Sequence, residues 1–465
     1  MAGPRGSLEG GSEVYQHAAG RATLAVLGAG PKGLAIAAKR AALARAGWDV
    51  PDLVVVEGTG VAANWSGATG YTDGRQLLST DPEKDVGFPY ARSWGADSEL
   101  VNHEVGRWSW QAHLVQQDGF ADWVDRHRPR PDHRRWSRYL RWVAAEVPVE
   151  PILAGVDGID LAGGRWHLTA RTGAGERLAL DCDGLVLTGP GTPLRVPGTP
   201  EDHHPRVLDG RSFWTHEAAL AGGGPVEVCV IGNGETAGSV TTTLLDLLPE
   251  GSAVELVSSN GVLYTRGESF AENRFYSDPV AAGWQQLAER HRREFLKRTD
   301  RGVFSVQVQD LLDRAEAVRT LAGRVTHLEP VEAKVIVEVD YEQGRERLAF
   351  DWVVVAAGFD PLWFVPLLGE GARAALAGVA GAAGDGPAGR PPSRTALERA
   401  VGHDLAVTGL QPKLHLPVLA GVAQGPGFPN LSCLGLLADR VLGAYARPAG
   451  AVAAPAGSAA AGRAG

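Results

Sequence analysis

In the stretch LAVLGAGPKGLAIAAKRAALARAG, Leu24 to Gly47, three glycines stand at the spacing G-x-G-x-x-G between an apolar run and a helix-like pattern: Gly28, Gly30 and Gly33. That spacing suits a dinucleotide phosphate turn. Gly28 lets the chain turn tightly out of a strand, Gly30 lets backbone N–H groups approach a pyrophosphate, and Gly33 lets the following helix pack close to the sheet. The run DLVVVEG then ends at Glu57, where a carboxylate would accept hydrogen bonds from the ribose hydroxyls of an adenosine half. A second copy of the layout, Gly232, Gly234 and Ala237, follows in VEVCVIGNGETAG. Its second strand, AVELVSS, ends in Ser258 and Ser259 instead of an acid. A carboxylate there would repel a 2′-phosphate. Its absence, with Arg266 downstream in LYTRGES to supply the attraction, predicts NADPH at the second site.

Two such sites in one chain predict electron transfer between two cofactors, with a flavin dinucleotide, FAD, at one turn and NADPH at the other. The three cysteines, Cys182, Cys229 and Cys433, form no C-x-x-C pair. That removes the disulfide reductases and leaves oxygen or an organic acceptor. Flavin monooxygenases and Baeyer–Villiger enzymes carry the linker F-x-G-x-x-x-H-x-x-x-W. The stretch VLDGRSFWTHEAAL, Val207 to Leu220, echoes it but lacks the leading Phe and the histidine spacing.

The elements that must position these turns are parallel strands with crossover helices. Apolar runs at residues 23–27, 53–57, 184–188, 226–231, 254–258 and 352–356 alternate with helical patterns. The expected fold is therefore α/β, with two Rossmann-like dinucleotide-binding domains. The NADPH domain, residues 201–351, is inserted in a discontinuous FAD domain, residues 21–200 and 352–446. Residues 1–20 and 447–465, rich in small residues and proline, are expected as disordered tails, and Gly378 to Pro392 as a mobile surface loop.

A net charge of −9 offers nothing to nucleic acid or an anionic membrane. In DRHRPRPDHRRWSRYLR, the spacing of Trp136, Tyr139, Leu140 and Val143 predicts a helix whose wet face the arginines coat. No run approaches the roughly 18 apolar residues of a membrane span, and no apolar leader follows a basic start. Unpaired cysteines fit a reducing cytoplasm.

Six stretches between Arg21 and Ala446 carry a resemblance: TDGRQLLSTDPEKDVGFPY, WSRYLRWVA, TRGESFAENRFYSDP, RTDRGVFS, AAGFDPLWF and AQGPGFPNLSCLGLLADRVLGA. In this order they resemble the lysine/ornithine N-monooxygenase family of siderophore biosynthesis, and within it the mycobactin- and nocobactin-type L-lysine N6-monooxygenases. The resemblance implies that NADPH reduces FAD, and that reduced flavin captures O2 as a C4a-hydroperoxide. The neutral side-chain amine of L-lysine then attacks the distal oxygen to give N6-hydroxylysine. No catalytic protein nucleophile and no metal is implied, because the cofactor supplies the reactive atom while the protein positions it and excludes water. A free lysine amine titrates at about 10.4, so a desolvating pocket must favour its neutral form.

By the same likeness Lys84, in PEKDV, binds the substrate carboxylate, and Asn273, in FAENRF, contacts substrate and nicotinamide. Trp65, in ANWSGATG, packs along the FAD. Leu431 and Ser432, in PNLSCLG, open a helix whose N–H groups face flavin or substrate. Two departures point to lysine. The ornithine enzymes usually show TNYSVV where this chain reads GVFSVQ, which replaces the family's substrate asparagine at about Val303. LLST stands where other members place a glutamine shortly before the substrate lysine. The alternatives are L-ornithine N5-hydroxylation or hydroxylation of another amino acid's amine. A rival of a different class is an uncoupled NADPH-oxidase flavoprotein or a non-enzymatic partner in a biosynthetic complex. Relatives of this kind commonly form homo-oligomers.

Overall fold

The computed structural model describes residues 7–9, 12–14, 21–202, 204–260, 262–382 and 392–449. The sequence TLAVL has no polar residue beyond its first, and Leu24, Ala25 and Val26 are wholly buried in the strand Thr23–Leu27. That is the pattern of a parallel sheet covered on both faces. Its neighbours are Asp52–Glu57 on one side and Gly184–Leu187 on the other, both parallel to it. Lys413–His415 extends the sheet beyond Gly184–Leu187. Ile152–Ala162 joins it on the far side and bends into an antiparallel meander with Arg165–Thr172 and Arg177–Cys182.

The second unit repeats this plan. Its parallel sheet runs Val207–Asp209, Trp352–Val355, Glu227–Ile231, Ala253–Ser258, Val318–Ala322. A separate meander follows, Arg324–Val331, Lys334–Tyr341 and Gly344–Phe350. Each of the six expected strands is present to within a residue at either end. Both meanders escaped the sequence reading. Trp352–Val355 lies between Val207–Asp209 and Glu227–Ile231 in the second unit's sheet, so the chain returns to the first unit after that strand and not at residue 352.

The helix Pro31–Arg45 packs on the C-terminal helix Leu434–Leu442. Lys39 and Asp439 form an ion pair of 2.8 Å between them, with both side chains almost wholly buried. The Trp94 indole and the Ser93 hydroxyl also donate to Asp439, so both oxygens of the buried carboxylate are partnered. Between the second unit's strands, Trp284 and Leu296 of an inserted helical segment pack on Val422 of the first unit, which ties the two units together.

The predicted helix is His133–Glu146, with Trp136, Tyr139, Leu140 and Val143 buried. Within the first twenty residues, expected as a loose tail, Ser7–Glu9 and Ser12–Val14 form a hairpin on the sheet edge; the rest of that segment lies outside the described residues. Arg447–Pro448 pairs with Trp48–Asp49, and residues 450–465 lie outside the described residues. The expected loop from Gly378 starts instead as helix, Glu370–Ala382, and residues 383–391 are not described.

Candidate active site

The first glycine turn floors a cleft of about 280 Å³ lined by Gly28, Gly30, Lys32, Glu57, Trp65 and Leu431, among others. Gly28 has φ +113°, and a Cβ there would strike the Thr188 side chain. Gly33 lies behind the cleft, where a Cβ would drive into the Gly28 carbonyl oxygen. Gly30 faces open space. It is the N-cap of the helix Pro31–Arg45, which has no side-chain cap and begins with a proline. The first-turn N–H groups are thus left for an anion. Glu57 is held by the N–H groups of Ala29 at 2.8 Å and Thr59 at 2.9 Å. Trp65 meets His133 edge-on at 4.8 Å. Burial drives His133 down to about 4, so a neutral ring lines the cleft. A bare helix start for a diphosphate, a fixed carboxylate for a ribose and aromatic walls for a ring system fit FAD.

The second turn is built the same way. Gly232 has φ +147°, and a Cβ there would drive into the Ala356 carbonyl oxygen. The Gly28 N–H donates to Val56 and the Gly232 N–H to Val257, so Ser258 stands where Glu57 stands in the first unit. Gly234 is the N-cap of Glu235–Leu247, again without a side-chain cap. Ser258 itself is wholly buried, and its hydroxyl accepts the Asn260 N–H at 3.3 Å. Just beyond it opens a cleft of about 800 Å³ lined by Ser259, Asn260, Arg324 and Arg345, among others. Arg345 is paired with Asp340 at 2.6 Å. Arg324 is exposed, with no ion pair among the described residues.

Lys84, Asn273 and Ser432 come together from three distant parts of the chain. They line a pocket of about 80 Å³ with Arg130, Arg266 and Tyr276. The Lys84 ammonium donates to the Asn273 side-chain oxygen at 2.8 Å. Its neighbour Asp85 fixes the turn that presents it: Asp85 is buried and accepts from the N–H groups of Trp110 and Gly87 and from the Tyr90 hydroxyl. Burial pushes Asp85 up to about 6 against those hydrogen bonds. Burial also lowers Lys84 below the usual lysine range, opposed by Asp81. Asn273 rides on the helix Phe270–Ser277, which opens with a capping box between Ser269 and Glu272.

Arg266 is not where the sequence reading put it. Its guanidinium donates to the carbonyl and hydroxyl of Ser79 at 3.3 Å and lies 3.9 Å from Asp300. It therefore lines the pocket of Lys84 and not the cleft beyond Ser258. The reason is the short strand Tyr264–Thr265, which pairs with Val303–Phe304 and turns the following residue inward. Val303 is buried in that pair, so it leaves no polar group at the position of the family's asparagine.

Sequence reasoning missed Arg130, Lys32, His133 and Asp300. Arg130 spans Asp81 at 3.1 Å and Glu268 at 3.3 Å; in the sequence it is one arginine in a basic run whose Arg134, Arg138 and Arg141 are indeed exposed.

Comparison with known proteins shows what the chain is similar to. The family model described as L-lysine 6-monooxygenase/L-ornithine 5-monooxygenase matches residues 101–361. The chain is 44% identical over 436 residues to the L-lysine N6-monooxygenase MbtG of Mycobacterium sp. (strain MCS), covering 91% of this chain and 95% of that one. It is 42% identical to MbtG of Mycobacterium tuberculosis, with 91% and 94% covered. Among solved structures, the lysine monooxygenase NbtG from Nocardia farcinica aligns with a TM-score of 0.77 at 38% identity, over 90% of this chain and 98% of that one.

Proposed function

This chain belongs to the L-lysine 6-monooxygenase/L-ornithine 5-monooxygenase family, and from that premise we propose that it hydroxylates the side-chain amine of L-lysine, using FAD, NADPH and O2, in the cytoplasm. The observation that carries this reading is that consecutive residues line the two cavities. Leu431 lines the flavin cleft and Ser432 lines the small polar pocket. An amino acid anchored in the second therefore presents its side chain toward the first.

When bound, FAD accepts a hydride from NADPH and activates O2 toward the amine. The chain's own residues do the rest. Lys84, Arg130 and Arg266 are the cations of the pocket, and Asp81 and Glu268 its acids; the set matches a zwitterionic amino-acid head. Lys84 serves as the point charge for the carboxylate. The Asn273 side chain is oriented by its own donation to the Glu268 carbonyl at 2.9 Å, and it in turn orients Lys84. The cations also oppose a protonated amine close by, and enclosure acts in the same direction, so the reactive neutral form is favoured. Phe359, Val418 and Pro429 line the cleft with apolar surface that keeps water from the reacting atoms.

Lysine is preferred to ornithine because Val303 is buried and gives the pocket no amide there, and because the curated relatives carry lysine in their names. The hydroxylamine product suits acylation to an iron-chelating hydroxamate, the group siderophores use. Mass spectrometry of the products from lysine, ornithine and aspartate, with purified enzyme, FAD and NADPH, tests the reading. N6-hydroxylysine from lysine alone supports it. Peroxide equal to NADPH consumed, whatever amine is added, overturns it in favour of an uncoupled oxidase.

A further inference from the structure

Lys32 follows the proline of the first glycine turn and lines the flavin cleft. Its side chain makes no ion pair among the described residues and is half-buried. Two groups lie within electrostatic reach of its ammonium: the Cys433 thiol and the Asp300 carboxylate. Both neighbour residues that line the small pocket. Cys433 follows Ser432 and is itself felt by Lys84 of the small pocket as well as by Lys32. Asp300 accepts from Asn430 at 2.9 Å, and Asn430 accepts the Ser432 N–H at 2.9 Å. The same carboxylate lies 3.9 Å from Arg266 of the small pocket. Lys32 therefore shares its cleft with Leu431, the residue before Ser432 of the small pocket.

Resting on the FAD reading above, we propose that the Lys32 ammonium is an electrostatic partner of the flavin ring system, stabilising the negative charge the ring carries once it has accepted a hydride. In that step NADPH loses two electrons and one proton as hydride and becomes NADP+, while the flavin gains them and becomes anionic. A cation beside the ring favours the reduced side of this balance. Burial lowers Lys32 to about 8, opposed by Cys433 and Asp300; an anionic neighbour raises it again and keeps the charge in place.

The competing role for a lysine at a helix start is to anchor the diphosphate, and the two roles separate experimentally. FAD affinity is measured by fluorescence quenching, and the midpoint potential of bound flavin by spectroscopic titration against a redox dye, in the parent, Lys32→Met and Lys32→Arg. The expected result is an FAD Kd within about threefold of the parent in both variants. At fixed poise the ratio of reduced to oxidised flavin falls about tenfold in Lys32→Met, about 30 mV for a two-electron couple, and recovers in Lys32→Arg. An FAD Kd raised tenfold or more with an unchanged potential overturns the proposal in favour of a phosphate anchor. Two unchanged values overturn it outright. If Lys32→Met does not fold, Lys32→Gln takes its place. A parent protein that takes up no FAD refutes the reading beneath the proposal and is recognised before any variant is compared.

Discussion

Lys84 has one side-chain hydrogen-bond partner among the described residues, Asn273 at 2.8 Å, and that contact leaves two ammonium protons for a carboxylate. Lys84→Ala is expected to raise KM for lysine at least tenfold while FAD affinity stays within error, because no flavin-cleft residue depends on it. An unchanged KM would remove Lys84 from the site. Arg266 now belongs to the same prediction: Arg266→Ala should raise KM for lysine and leave the preference for NADPH over NADH as it was. The 2′-phosphate preference is expected to reside at Arg324, on the cleft beyond Ser258, so Arg324→Ala should weaken NADPH severalfold and NADH hardly at all. Equal losses for both cofactors in Arg324→Ala would refute that assignment. Lys84, Asn273 and Ser432 were singled out in the sequence by family resemblance, each in a stretch that carries the likeness, and the structure brings them to one pocket. Arg266 was misplaced because a short strand pairing across the insert decides which way it faces, and no local pattern announces that pairing.

At the level of elements, the two glycine turns separate positions that carry the fold from one that receives a ligand. Gly33 has the Gly28 carbonyl oxygen where a Cβ would go, whereas Gly30 has open space. Gly33→Val should cost about 3 kcal/mol or more through backbone overlap and show it as lost soluble protein. Gly30→Val should fold with a melting temperature near the parent's and purify colourless, because its side chain fills the space the diphosphate needs. A yellow Gly30→Val protein would refute the cradle. The capping box that starts the Asn273 helix gives a milder case: Ser269→Ala should cost about 1 kcal/mol and raise KM for lysine a few-fold, read by thermal unfolding and steady-state kinetics. The parallel strands were readable because each is an unbroken apolar run. The meanders were not, since RVTHLEPV and GRERLAF are charged, largely exposed strands with neither an unbroken apolar run nor a clean alternation and mimic loops between stronger signals. The domain boundary fell a strand too early for another reason: Trp352–Val355 is itself a readable apolar run, and only its pairing with Glu227–Ile231 assigns it to the second unit.

At the scale of the whole molecule, the repeat of the unit plan was visible in the two glycine patterns, while the charges that gather where the units meet were not. Glu235 shows the consequence. It is the first residue of the second unit's helix, and one of its carboxylate oxygens is buried without a hydrogen-bond partner among the described residues. Burial pushes it up to about 7; Arg266 and the Ser305 N–H act against this, Glu268 with it, and Arg130 of the first unit against it. A carboxyl that titrates higher in the folded chain than in the unfolded one holds a proton that the unfolded chain has already released. Stability therefore falls as pH rises from about 4.5 to 7, the window between the two values. The same charge bears on the cofactor, because an ionised Glu235 beside Gly234 repels the diphosphate that the turn is built to hold. The Kd for NADPH is accordingly expected to rise about tenfold between about pH 6 and pH 8 in the parent. In Glu235→Gln it should stay nearly flat, with the thermal midpoint no longer declining from about pH 5 to 7. Fluorescence titration of NADPH and thermal unfolding across that range measure both. Parallel pH profiles in parent and variant would show that the carboxyl is already ionised throughout, held so by Arg130 and Arg266, and that the meeting of the two units tunes neither binding nor stability through it.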